Sequence, residues 1–220
     1  MNRNLKHLLV LTTLCVPALA APLTFDFKDP KGVNNAVFKL DAPLEAINGS
    51  ANGITGTVTF DPDNPAATLG KIVVAAASLQ VPNPMMNTHL HGAQWMNVTA
   101  HPEINFAVKS LSRVKTDGDK TSADVTGTLT VKGVAREITV PVTFNYLKDK
   151  LGQRVPNLNG DLLVIRANFT IKRSDFGINP QAPEDKVAND IALTLSIAGA
   201  PPARDLKPDS PLNASNQSFP

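Results

Sequence analysis

The sequence predicts an all-β protein, an antiparallel barrel or sandwich with the barrel preferred, on three observations. Apolar and polar residues alternate with a period of two along about eight or nine short segments. Clusters of Gly, Pro, Asn and Asp separate those segments. No amphipathic pattern sustains a helix longer than about three turns.

The chain of 220 residues is long enough for one domain with a sizeable core. Its first twenty residues stand apart. Arg3 and Lys6 precede an apolar run from Leu8 to Val16, and Ala18-Leu19-Ala20 places small residues where a signal peptidase reads. Residues 1–20 are therefore expected to be a signal peptide cleaved after Ala20, leaving a soluble periplasmic or secreted protein at residues 21–200. The run is too short to span a bilayer. Cys15, the single cysteine, lies inside it beside Leu14, a poor fit to a lipoprotein cleavage site, so the mature fold has no disulfide. Removing Arg3 and Lys6 leaves nineteen basic residues against nineteen acidic ones. A formally neutral chain without a Lys/Arg cluster among aromatics argues against a nucleic-acid partner.

Leu23 to Lys28 and Ala36 to Leu40 read as short strands around a Pro-Lys-Gly turn. Ile54, Gly56, Val58 and Phe60 alternate with threonines, and Asp61-Pro62-Asp63-Asn64-Pro65 closes that strand. Leu69 to Leu79 is apolar throughout, so its inward face stays unassigned. After Pro102 a strand sets Ile104, Phe106 and Val108 on one face, and Asp117-Gly118 turns it back. Ala123 to Val131 and Val134 to Tyr146 form the clearest hairpin, with Lys132-Gly133 as its loop. Its register pairs Val131 with Val134, Gly127 with Ile138 and Val125 with Val140, which gathers the large apolar residues on one face and leaves only Arg136 among them. Leu163 to Lys172 and Ile191 to Ile197 are the last strands. Pro201 to Pro220 is rich in Pro, Asn, Ser and Asp and reads as a disordered tail.

With strands running up and down, three irregular connections fall at one end: Val81 to Pro102, Lys132-Gly133, and Ser174 to Lys186. That end is the mouth, and the parity of the last long strand carries Arg173 inward there. The inward set includes Phe60, Phe106, Leu129, Val142, Phe144, Ile165 and Phe169, interspersed with the small residues Gly56, Gly127 and Ala167. Small residues between aromatic walls leave a channel for an elongated apolar ligand, or they fit a barrel's taper around a filled core. From the residues alone the filled core is the expectation, because small apolar residues also fit a taper.

Arg136 and Arg173 suit a phosphate or carbonyl head group, or else stretch into water and pair with Glu137 and Asp175. His89, His91 and His101 are the histidines of the mature chain. On an extended segment His89 and His91 share a face and offer two metal ligands, with Glu103 as the nearest carboxylate; on a helix they point about 200° apart and the site disappears. Met85, Met86, Trp95 and Met96 on the same connection suit a lid or plain loop packing. No nucleophile elbow, zinc-protease motif, cysteine nucleophile or phosphate-cradling loop is present, so no catalysis is expected.

Four stretches together resemble the YceI family in order and spacing: GITGTVTFDP at Gly53 to Pro62, THLHGAQWMNVTAHPEINF at Thr88 to Phe106, GTLTVKGVAREITVPVTF at Gly127 to Phe144, and Arg173-Ser174-Asp175-Phe176-Gly177. The resemblance implies an exported, lipocalin-like barrel of about eight strands with a short helical or irregular segment over the mouth. It also implies a bound polyisoprenoid, quinone or prenyl lipid in place of any cofactor, and transient membrane contact, with the oligomeric state left open. His89, Trp95, Met96, Arg136, Arg173 and Asp175 would then meet the head group. The family usually follows His-Leu with a basic residue, an acidic residue and two phenylalanines. Here His91-Gly92-Ala93-Gln94-Trp95-Met96 follows, without the acid and with Trp95-Met96 as the aromatic pair.

Overall fold

The computed structural model describes residues 22–202 and the backbone of 207–208. The expected signal peptide lies outside the described residues, as does most of the expected tail. The elements in chain order are β1 (Leu23–Asp26), β2 (Asn35–Asp41), β3 (Ala46–Ala51), β4 (Ile54–Phe60), β5 (Leu69–Ala75), α1 (Pro84–His91), β6 (Glu103–Asp117), β7 (Lys120–Val131), β8 (Val134–Leu147), α2 (Leu151–Arg154), β9 (Leu158–Asn159), β10 (Leu162–Lys172), β11 (Asp190–Gly199) and β12 (Lys207–Pro208). Ten strands form one antiparallel sheet in the order β1-β4-β5-β6-β7-β8-β10-β11-β2-β3, and β12 pairs with β9 separately.

The sheet curls into a half-barrel, and each of its edge strands, β1 and β3, is bridged to chain that lies beyond another strand. Asp26 N donates to Ala200 O at 2.7 Å and Ala200 N to Asp26 O at 3.0 Å, tying the end of β1 to the chain beyond β11. Ser50 on β3 and Gln80 beyond β5 exchange a second such pair. These bridges satisfy edge groups that would otherwise be left bare.

The central hairpin has the expected register, from Val131 opposite Val134 through Gly127 opposite Ile138 to Val125 opposite Val140. Thr126 and Thr139 bond through their hydroxyls at 2.8 Å on the outer face. Lys132 (φ 49°) and Gly133 (φ 77°) make the left-handed two-residue turn that twisted strands require.

Within the ten-stranded sheet the unexpected strand is β3. Its sequence, AINGSA, lacks the branched and aromatic residues that mark a strand. It pairs because Gly49 lets the Phe38 ring of β2 lie across it; a Cβ there would sit 2.1 Å from that ring. The long apolar run also divides differently from one strand, into β5 and a 3-10 turn at Ala76–Ser78.

Two apolar clusters fill the ends of the barrel. Phe25, Phe27, Phe60, Leu163 and Ile197 plug the end away from the mouth. The Phe60 ring stacks on Phe144 at 5.6 Å, and Tyr146 packs against Phe25 and Phe60 while its hydroxyl donates to Asp161 at 2.7 Å. Beneath this plug, buried Asn34 donates to Phe27 O and Ala198 O, and Asp29 pairs with Arg154 at 2.9 Å. The second cluster, with Leu79, Val81, Met96, Phe176 and Ile178, lies under the mouth.

Candidate functional site

Between the two clusters runs a cavity of about 410 Å³, within the size range of small-molecule sites. Every strand of the ten-stranded sheet except β1 contributes to its wall. The lining is apolar apart from Glu45, Thr68, His89, Asn105, Arg173 and Thr194. A filled core, one of the two arrangements the composition allowed, is therefore not what this chain builds.

The expected wall residues Phe106, Leu129, Val142, Phe144, Ile165 and Phe169 all face the cavity. Phe60 does not: it is 1% exposed and belongs to the plug, because β4 pairs its last residues with β1 at the closed end. Among the small inward residues only Ala167 opens onto the space. Gly127 lies beneath the Phe106 ring, where a Cβ would come within 2.5 Å of that ring and of Ala107 O, and Gly56 is pressed against the β5 backbone. These glycines admit neighbouring groups, and the room that parity reasoning assigned to a ligand is occupied.

The mouth is covered by α1 and the two chain segments that follow it and β10. Asn83 caps α1 by accepting from Met85 N and Met86 N, and Pro84 takes the first helical position. His89 and Met86 face the cavity with Trp95 and Met96, whereas Met85 is 71% exposed. His91 turns away and its Nε2 lies 2.7 Å from Leu79 O. His101 stands over Gly133. Helix geometry thus separates His89 from His91, and among the described residues no group of three or more His, Cys, Asp or Glu side chains could hold a metal ion.

Arg173 is 1% exposed and reaches the cavity wall, but its guanidinium faces inward onto backbone carbonyls. Nη1 donates to Ile178 O at 2.9 Å and to Asn179 O; Nη2 donates to Val187 O and Ala182 O, and Nε to Ala188 O, at 3.3–3.4 Å. The Trp95 ring covers it with its centroid 5.9 Å away. Five donors meeting five carbonyls make this side chain a clasp for the segment after β10. That corrects both sequence expectations for it, the open head-group contact and the solvent-reaching rim charge. Burial pulls its pKa down while Glu184 pulls it up.

Arg136 and Asp175 are both exposed and neither is part of the cavity wall, which leaves Arg136 at the rim position its parity gave it and sets both apart from the expected head-group contacts. Arg136 has inward parity next to the β7–β8 turn, so its long stem carries the charge out past the rim. Asp175 sits in a 3-10 turn that rotates it away while Phe176 goes into the core.

The residue that sequence reasoning missed is Lys132. Its ammonium donates to Gln94 O and Gly177 O, both at 2.9 Å, joining the central hairpin to the other two mouth segments. Burial lowers its pKa. A lysine at a left-handed turn position that ordinarily takes Asn, Asp or Gly was the available signal.

Comparison with known proteins agrees with this geometry. The profile of the YceI-like domain matches residues 30–198. The protein YceI of Shigella flexneri is 29% identical over 153 residues, covering 70% of this chain and 73% of that one. The crystal structure of Burkholderia cenocepacia BcnA superposes with a TM-score of 0.59 at 23% identity, over 75% of this chain and 94% of that one. A polyisoprenoid binding domain from Saccharophagus degradans superposes with a TM-score of 0.58 at 10% identity, over 83% of this chain and the whole of the other.

Proposed function

The chain belongs to the YceI-like family, and from that premise we propose that it is a non-catalytic carrier that holds one long apolar molecule of the polyisoprenoid class in its barrel. The observation that carries this is the cavity itself, enclosed by nine strands' worth of apolar side chains and plugged at one end. Burial contributes about 0.8 kcal/mol per methylene, so each five-carbon unit adds about 4 kcal/mol before ordering costs, and affinity needs no polar contact. The likeness in fold to the polyisoprenoid binding domain from Saccharophagus degradans supports the ligand class. Wall residues Phe106, Leu129, Val142, Phe144, Ile165 and Phe169 hold the chain, and His89, Trp95 and Met96 meet its polar end. Export through residues 1–20 places the carrier in the periplasm or outside the cell, where such a lipid needs a water-soluble shell between membranes.

Trp95 is the single tryptophan and lines the cavity, which supplies the test. Titration with a long all-trans polyprenol should change its fluorescence and saturate at one molecule per chain. A flat titration together with no polyprenol co-eluting in gel filtration contradicts the proposal.

A further inference from the structure

The barrel wall is not hydrogen-bonded all the way round. β8 and β10 pair from Leu147 opposite Leu162 to Val142 opposite Ala167, and there the ladder stops. Both strands run on toward the mouth, β8 still paired with β7 as far as Val134 and β10 still paired with β11 as far as Lys172. The next residue on β8 is Pro141, which has no N–H to continue the ladder. The parting is thus written into the strand.

Its two margins are nevertheless complementary. Continued in register, Val140 would oppose Phe169 and Ile138 would oppose Ile171 on the inner face, while Thr139 would meet Thr170 and Glu137 would meet Lys172 outside. In this structure Glu137 pairs instead with Lys109, and Lys172 with Asp190. Val140, Phe169 and Ile171 belong to the cavity wall, so no ladder backs the cavity here. Hydrogen bonds hold the seam at its two ends, through the ladder that stops at Val142 and Ala167 below and through Lys132 donating to Gly177 O above; between them it is closed by side chains alone, with Val140 buried and Ile138, Phe169 and Ile171 packed against the core.

Another way out is the mouth, and that is tied. Lifting the segments that cover it breaks the Arg173 contacts to five carbonyls and the Lys132 bonds to Gln94 O and Gly177 O. Parting the seam breaks no β8–β10 ladder bond, because none is formed there. We propose that the apolar ligand enters and leaves sideways, between β8 and β10, with the mouth segments staying in place. This rests on the carrier reading, and its test separates the two.

The experiment uses the full chain in a Cys15→Ala background. One variant carries Thr139→Cys with Thr170→Cys, outward residues that oppose each other when the β8–β10 register is continued across the seam. A control carries Thr126→Cys with Thr139→Cys, which already face each other across the β7–β8 ladder. Each is loaded with a tritium-labelled all-trans polyprenol, and release into excess phosphatidylcholine vesicles is timed before and after oxidation. The oxidised seam pair should release at least about tenfold more slowly, with the wild-type rate restored by reductant and the oxidised control unchanged. Release at the wild-type rate with the seam disulfide formed, or failure of that disulfide under conditions that close the control, overturns the lateral route. Failure of the wild type to take up polyprenol at all overturns the carrier reading instead, and the route with it.

Discussion

Replacing Arg173 by methionine separates a structural clasp from a ligand contact. The substitution removes every donor that the carbonyls of Ile178, Asn179, Ala182, Val187 and Ala188 receive from this side chain. The contacts at 3.3–3.4 Å are weak, so the loss is dominated by Ile178 O and Asn179 O. Leaving a buried acceptor unpaired costs about 1–3 kcal/mol, which gives about 2–6 kcal/mol for the two. Methionine recovers part of this by its own burial and by removing a desolvated charge, so a net loss of about 2–4 kcal/mol is expected. Against a domain stability of about 5–15 kcal/mol the variant still folds. With a urea slope of about 2 kcal/mol per molar, its midpoint should fall by about 1–2 M. Trp95 lies over the guanidinium and reports the transition by fluorescence. An unchanged midpoint with weakened polyprenol binding would refute the clasp and return Arg173 to the head group.

Ala167→Phe projects a ring into the cavity; it should keep the β-sheet circular dichroism and lower polyprenol affinity about tenfold or more, and unchanged uptake would mean that the ligand lies elsewhere. Gly127→Ala should destabilise the fold by about 1–3 kcal/mol in urea, because its Cβ meets Ala107 O and the Phe106 ring at 2.5 Å. Burial pushes the Asp29 carboxyl up, but bonds from the backbone N–H groups of Asn34, Lys31 and Val33 and the charge of Arg154 hold it below its ordinary 3.8. Its contribution to stability is thus present above that value and lost as pH falls through the lower folded-state pKa, so Asp29→Asn should be less stable at neutral pH and flatten the acid limb of Tm against pH.

The central hairpin was legible to the residue because period, face and turn agree there, and the same parity placed most of the cavity wall. Parity fails where it has no information about distance along the barrel axis. Phe60 and Phe144 share an inward face, yet only Phe144 reaches the cavity, since the plug is made by whichever strands end lowest. Gly127 and Gly56 failed for a related reason: an absent side chain reads as empty space, while here it is filled by a neighbouring ring or backbone. β3 was hidden because its pairing depends on the Phe38 ring over Gly49, a contact between strands that no local pattern records. Arg173 was correctly carried inward, but its partners lie on a loop whose path only the fold defines.

Carriage requires that the cavity hold an apolar molecule. Native mass spectrometry of the protein purified from a bacterial periplasm, followed by solvent extraction and mass analysis of what is released, tests it most directly. One stoichiometric apolar species of isoprenoid composition per chain is expected, displaced in the Ala167→Phe variant. A clean protein mass, with no uptake of added polyprenol, would contradict it.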